Sequence, residues 1–156
     1  MYKGQAWFDR LNPVQQELIK EGFYLLNWAK KNKTKLYDYS FIVMPAAKAY
    51  EGFLKDWLFK IGLINKDDLE DDKFRIGKAL NPHLERIPYL RKECLYQEIS
   101  QKIGQETAEV LWQTWRQSRN RIFHYFHHLQ QVFTLDQAEE KLNQIVVAIK
   151  ATSKNS

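Results

Sequence analysis

Apolar residues recur at steps of three and four along most of this chain, the spacing that lines one side of an α-helix. From Pro13 to about Lys30, the residues Leu18, Phe23, Leu25, Leu26 and Trp28 supply such a side, and Pro13 suits the first helical position. A second helix is expected from about Asp38 to Ile61, with Phe41, Met44, Ala47, Phe53, Leu54, Trp57 and Leu58 facing inward. Pro45 lies inside that pattern and implies a kink or a start there.

Between Gly62 and Pro88 the periodicity fails. The run Lys66-Asp67-Asp68-Leu69-Glu70-Asp71-Asp72-Lys73 reads as a solvated connection, followed by a short helix around Phe74 to Leu80 closed by Asn81-Pro82. Its carboxylates also suggest a cation site, but ligands need fixed convergent geometry and an irregular stretch does not supply it. Another short helix is expected over Lys92 to Ile103, stopped by Gly104.

From about Gln105 to Val132, Leu111, Trp115, Ile122, Phe126 and Leu129 recur near helical spacing, giving one long helix or two that meet near Ser118 to Asn120. Thr134 with Gln137 forms a capping-box pattern that starts a last helix to about Ala151. Nothing reads as a strand, so the expected class is all-α.

Composition narrows this picture. A chain of 156 residues suits one domain, residues 1–156, and 44% hydrophobic content argues for a packed core. Five Trp, eight Tyr and nine Phe are many for this size, and some are expected at a subunit or partner interface. The formal charge of +5 suits a polyanionic partner without proving one. The run Lys30-Lys31-Asn32-Lys33-Thr34-Lys35 could meet phosphates, although cations at a helix C-terminus are also favoured by the helix dipole. The single cysteine, Cys94, excludes an internal disulfide and reads as a packed thiol. With no signal-peptide pattern and no apolar run of spanning length, a cytoplasmic protein away from membranes is expected.

The chemistry concentrates at Arg119-Asn120-Arg121-Ile122-Phe123-His124. Arginine offers a phosphate a fork of donors with permanent charge, and histidine can give or take a proton near neutrality. Most such pairs on helices are structural, but these polar groups interrupt an apolar segment, where they are costly unless paired or used. On a regular helix five residues advance by about 500°, leaving Arg119 and His124 about 140° apart. They converge only if the helix departs from α geometry or a second protomer completes the site.

An all-helical domain with Arg-Asn-x-x-x-His on its penultimate helix resembles the HEPN superfamily. A closer resemblance is to the C-terminal catalytic domain of RNase LS-type toxins, the RnlA/LsoA family of toxin–antitoxin systems. Two segments carry it: Tyr37-Asp38-Tyr39-Ser40-Phe41-Ile42-Val43-Met44-Pro45-Ala46-Ala47-Lys48-Ala49-Tyr50-Glu51-Gly52-Phe53-Leu54-Lys55, and Arg119-Asn120-Arg121-Ile122-Phe123-His124-Tyr125. The resemblance spans residues 37 to 130. It implies a helical bundle of about four main helices plus short connecting ones, and a metal-independent endoribonuclease that needs no cofactor. It further implies Glu51, Arg119 and His124 as catalytic residues, an RNA substrate, a homodimer with the site at its two-fold axis, and an acidic antitoxin as a partner.

Asn120, Arg121 and Arg116 are the accompanying candidates for substrate binding. The chain departs from the family in lacking the other domains of the full-length toxins. It also departs from members whose motif continues His-x-Tyr, because Phe126 stands two after His124.

Other readings remain for these residues. Glu51 has Lys48 three before it and Lys55 four after, so a surface ion pair is its simplest role. A non-catalytic module of the same fold, binding RNA, a nucleotide or a protein, fits the charge and aromatics as well as an enzyme does. His124, His127 and His128 have metal-like spacing, but no nearby carboxylate completes a set. A shared site would bury Trp112, Trp115, Arg119 and Phe123 between protomers.

Overall fold

In the computed structural model, residues 2, 4–33, 35–83, 94–123 and 132–153 are described. Helices account for the regular structure among them, and no strand occurs. In chain order they are α1 (Ala6–Asp9), α2 (Pro13–Asn32), α3 (Ser40–Lys60), α4 (Lys66–Glu70), α5 (Ile76–Ala79), α6 (Leu95–Lys102) and α7 (Gln105–Trp115). A π-helical turn (Arg116–Asn120), α8 (Arg121–Phe123) and α9 (Leu135–Ala151) complete the order.

The ends of the long helices follow from local chemistry. Asn12 caps α2 in a reciprocal box with Gln15, and Pro13 occupies its first turn, where no N–H is missed. Lys33 ends α2 in a left-handed conformation with φ 47°. Gly104 enters α7 at φ 132°, a region that L side chains rarely adopt. Thr134 and Gln137 form the expected capping box of α9.

Helix α3 is the centre of the core. It packs along α2 and also meets α9, the π-turn and the short helices. Ile42, Val43, Ala46, Ala47, Ala49, Tyr50, Leu54 and Leu58 are all buried on it. Close approach of α2 depends on Gly22, where an added Cβ would stand 3.0 Å from Leu142 Cδ2 and 3.2 Å from the Ile42 carbonyl. Gln15, buried at the start of α2, donates to Asp56 Oδ2 at 2.7 Å and so fixes α2 against α3. Tyr50 donates its hydroxyl to the Leu111 carbonyl at 2.9 Å, tying α3 to α7 within the core.

The entries to α3 and α9 are stitched together as well. Tyr39 N–H donates to the Phe133 carbonyl at 2.9 Å, and Phe133 N–H donates to Asp38 Oδ1 at 2.9 Å. Burial pushes the Asp38 carboxyl up, but hydrogen bonds from Phe133 N–H and from the Ser40 hydroxyl and N–H outweigh it and hold the group below its ordinary value.

Several expectations change. Only Leu26 of the proposed inner side of α2 is fully buried; the buried face is Gln15, Ile19, Gly22, Leu26 and Ala29, and Trp28 is exposed. The five aromatic and leucine positions had outweighed small residues in the pattern, yet it is the small ones that let α2 approach α3. Pro45 does not start α3: it lies inside the helix, one turn after its beginning, where it removes the bond that the Phe41 carbonyl would accept. The acidic run is not wholly irregular: α4 forms there, capped reciprocally by Asn65 and Asp68. Among the described residues no group of three or more His, Cys, Asp or Glu side chains could hold a metal. Nor, among the described residues, is any helix long and apolar enough to cross a membrane.

Candidate functional site

The long expected helix after Gly104 does change character where the sequence left a junction open. Arg116–Asn120 is a π-turn, in which Arg121 N–H bonds back to the Arg116 carbonyl five residues earlier. Such turns insert one residue into an α-helix and shift everything after it around the axis. The 140° separation presupposed α geometry from Arg119 onward, and that premise fails at Arg119 and Asn120. His124, together with His127 and His128, lies outside the described residues.

Two of the three candidate catalytic side chains meet. Arg119 donates Nε–H to Glu51 Oε2 at 3.1 Å, and its Nη2 stands 3.0 Å from the same oxygen. The guanidinium lies 5.0 Å from the Trp115 ring centroid and 5.3 Å from that of Phe123. Cation–π attraction on both sides fixes the plane of the fork. With two N–H groups used by Glu51, three of the five on Arg119 are uncommitted among the described residues. Both side chains are partly exposed, so an incoming anion can reach them.

The simplest reading of Glu51, an ion pair with Lys48 or Lys55, is therefore not what forms. Lys55 instead lies over the Phe74 ring at 6.0 Å. Glu51 turns toward α7's continuation, because its side of α3 faces the π-turn.

Beside the pair runs an open groove of about 470 Å³, walled by α2 and α3 and closed at one end by Arg119 and Phe123. Leu18 and Leu25 form one wall; Phe41, Met44 and Pro45 form the other, with Lys48 and Glu51 continuing it. Met44, expected inside, is thus an exposed groove residue, and Phe41 is half-buried. The stripe Phe41, Met44, Lys48 and Glu51, at steps of three and four, was present in the sequence. What hid it was the assumption that every apolar member of α3 packs inward.

The remaining candidates are spread around the turn. Asn120 and Arg121 are half-exposed and do not line the groove. Arg116 is half-buried, and its buried Nε has no hydrogen-bond partner among the described residues. Its charge reaches Glu109, whose carboxyl is held below its ordinary value first by Gln113 and Tyr96 hydrogen bonds and, to a smaller degree, by Arg116.

The interface expected around Trp112 and Trp115 needs correction. Both rings are already buried within one chain, at 8% and 5% exposure, and Trp115 packs directly over Gly77. Neither offers a surface to a second protomer, whereas Phe123 does. Cys94 is half-buried at the start of α6, with its thiol 3.3 Å from the Asn81 carbonyl.

Comparison with models of known families, with curated proteins and with solved structures gives no match.

Proposed function

We propose that this chain is a metal-independent endoribonuclease of the HEPN type, acting as the toxin of a toxin–antitoxin or phage-defence system. The observation that supports it most is the Arg119–Glu51 contact, set on a π-turn at one end of an open groove and followed in sequence, five residues after Arg119, by His124. A cation held in a fixed plane with free donors suits the non-bridging oxygens of a phosphodiester.

In this reading the substrate's own 2′-OH attacks the neighbouring phosphorus and the P–O5′ bond breaks. The products are a 2′,3′-cyclic phosphate and a 5′-OH. His124 removes the proton from the attacking hydroxyl or returns one to the leaving oxygen. Arg119 stabilises the charge that builds on phosphorus-bound oxygens, and Glu51 aims the guanidinium. Asn120, Arg121 and Arg116 hold flanking phosphates. Two protomers related by a two-fold axis would bring their histidines together with Phe123 at the contact, and an acidic antitoxin would cover the cationic groups.

A second reading has an observation of its own. The groove walls are mainly apolar, which fits a non-catalytic module that binds a base or a peptide side chain. The two are separated by a single oligoribonucleotide made with and without a 2′-O-methyl group at the scissile position. An enzyme of the proposed kind cleaves the unmethylated strand and spares the methylated one. If both are cut, the attacking group is not the 2′-OH; if neither is cut while both bind, the module reading holds.

A further inference from the structure

Most aromatic side chains of this protein serve the core, but one face of α2 presents rings to solvent. Of the five tryptophans, Trp7, Trp57, Trp112 and Trp115 are at most 8% exposed, while Trp28 is 44% exposed. Tyr24, one turn earlier, is 68% exposed. At about 100° per residue, Tyr24, Trp28 and Lys31 lie within about 60° of one another, on the side opposite the buried Ile19, Gly22 and Leu26.

Charge is one-sided here. From Gly22 to Tyr37 the chain carries four lysines and no acidic residue. Lys30 is committed to Glu139 at 2.5 Å, joining α2 to α9. Lys31, Lys33 and Lys35 are exposed and have no ion-pair partner among the described residues. Tyr37, 82% exposed, follows them.

The stripe also abuts the groove. On α2, Trp28 is about 60° from Leu25, and Tyr24 is about 60° from Glu21; both Leu25 and Glu21 line the groove that ends at Arg119. Aromatic faces interleaved with unpaired cations are the chemistry of single-stranded nucleic acid. Bases stack on rings that a duplex would keep paired, while lysines follow the backbone.

We infer that the Tyr24–Trp28 face of α2, with Lys31, Lys33 and Lys35, is a track for single-stranded RNA that feeds the groove beside Arg119. The inference rests on the ribonuclease reading for the direction of the track, and its binding chemistry can be tested apart from cleavage. An acidic protein would be drawn by the same lysines, but it gains less from two exposed ring faces than bases that stack on them.

Trp28 is its own reporter, because the other four tryptophans are buried. A short single-stranded 2′-O-methyl oligoribonucleotide, unable to supply the attacking hydroxyl, is titrated into the full chain while tryptophan fluorescence and the anisotropy of a label on the RNA are followed. Binding with quenching is expected. Trp28→Phe keeps the affinity and removes the quench, whereas Trp28→Ala weakens binding about tenfold. Changing Lys31, Lys33 and Lys35 together to Gln lowers the slope of log affinity against log salt by about 2.

The track is overturned if no binding occurs, if binding leaves Trp28 unquenched, or if Trp28→Ala binds as the parent does. It is also overturned if duplex RNA, or an acidic peptide of equal charge, displaces the oligonucleotide as well as a second single strand. Quenched binding by a protein that cleaves no all-ribose RNA retires the ribonuclease reading and leaves the track standing. Cleavage by Trp28→Ala with an unchanged KM does the reverse.

Discussion

Arg119 and Glu51 are 68 positions apart in the chain, yet two nitrogens of one guanidinium converge on a single carboxylate oxygen. With both side chains about one-third exposed, the pair contributes at most about 1 kcal/mol to stability. Its main consequence is geometric. Glu51 on the rigid α3 and the rings of Trp115 and Phe123 together set the direction of the free donors on Arg119.

That arrangement predicts a graded loss of RNA cleavage. Arg119→Ala and His124→Ala should each cost about 10² to 10⁴ in rate, the usual loss for a charge stabiliser or a proton-transfer group. Arg119→Lys should not restore activity, because a point charge cannot bond Glu51 through two nitrogens and still present donors outward. Glu51→Ala should reduce cleavage less than either. Circular dichroism and melting should stay near those of the parent, and full activity in the Arg119 or His124 variant would defeat the nuclease assignment.

The proposed chemistry uses no metal, so cleavage should persist in excess chelator. Gel mobility before and after a phosphatase able to open cyclic phosphates should reveal the 2′,3′-cyclic end. Products with a 5′-phosphate, or activity lost with chelator and regained with magnesium, would indicate metal-assisted hydrolysis.

Trp115 sits 5% exposed over Gly77, where an added Cβ would fall 2.0 Å from its Nε1. Gly77→Ala should therefore force the ring aside and destabilise the fold by about 1–3 kcal/mol. Because the same ring supports Arg119, cleavage should fall beyond what the unfolded fraction explains. A charged residue at Trp115 should unfold the protein instead of producing a well-folded monomer. Thermal melting with light scattering distinguishes these outcomes.

Two hydrogen-bonded groups set opposite limits of pH stability. The Asp38 carboxyl is held below its ordinary value, so its stabilisation is present above the unfolded value near ~3.9 and fades as the pH falls toward and through the folded one. Asp38→Asn should lower the melting temperature at neutral pH and flatten its decline below about pH 4. Burial pushes the Tyr50 hydroxyl well above its ordinary value, and its contribution is intact below pH ~10 and lost as the pH rises further. Tyr50→Phe should remove that alkaline loss while costing about 1 kcal/mol at neutral pH. Melting curves across pH that stay parallel to the parent's would contradict both.

The helices themselves were legible in the chain. Pro13, the Thr134–Gln137 box and Gly104 mark ends that the structure keeps, since capping is decided by neighbours within one turn. Arg119 and a change of helix near Ser118 to Asn120 were also visible, as a cation in an apolar stretch and an open junction between helical patterns, where the structure has the π-turn Arg116–Asn120. Glu51 was reached only through resemblance. Nothing within four residues of it announces a partner on another helix.

The sequence by itself determined an all-α chain, the positions of its long helices and the segment where polar chemistry gathers, because those follow from local periodicity and capping. Only the tertiary structure decided which apolar residues go inside. Small residues such as Gly22, Ala46 and Ala47 let α2 and α3 close, leaving Met44 on a groove and Trp28 in solvent. It also decided that Glu51 meets Arg119, a contact made by packing two distant helices and a π-turn, which no local pattern encodes.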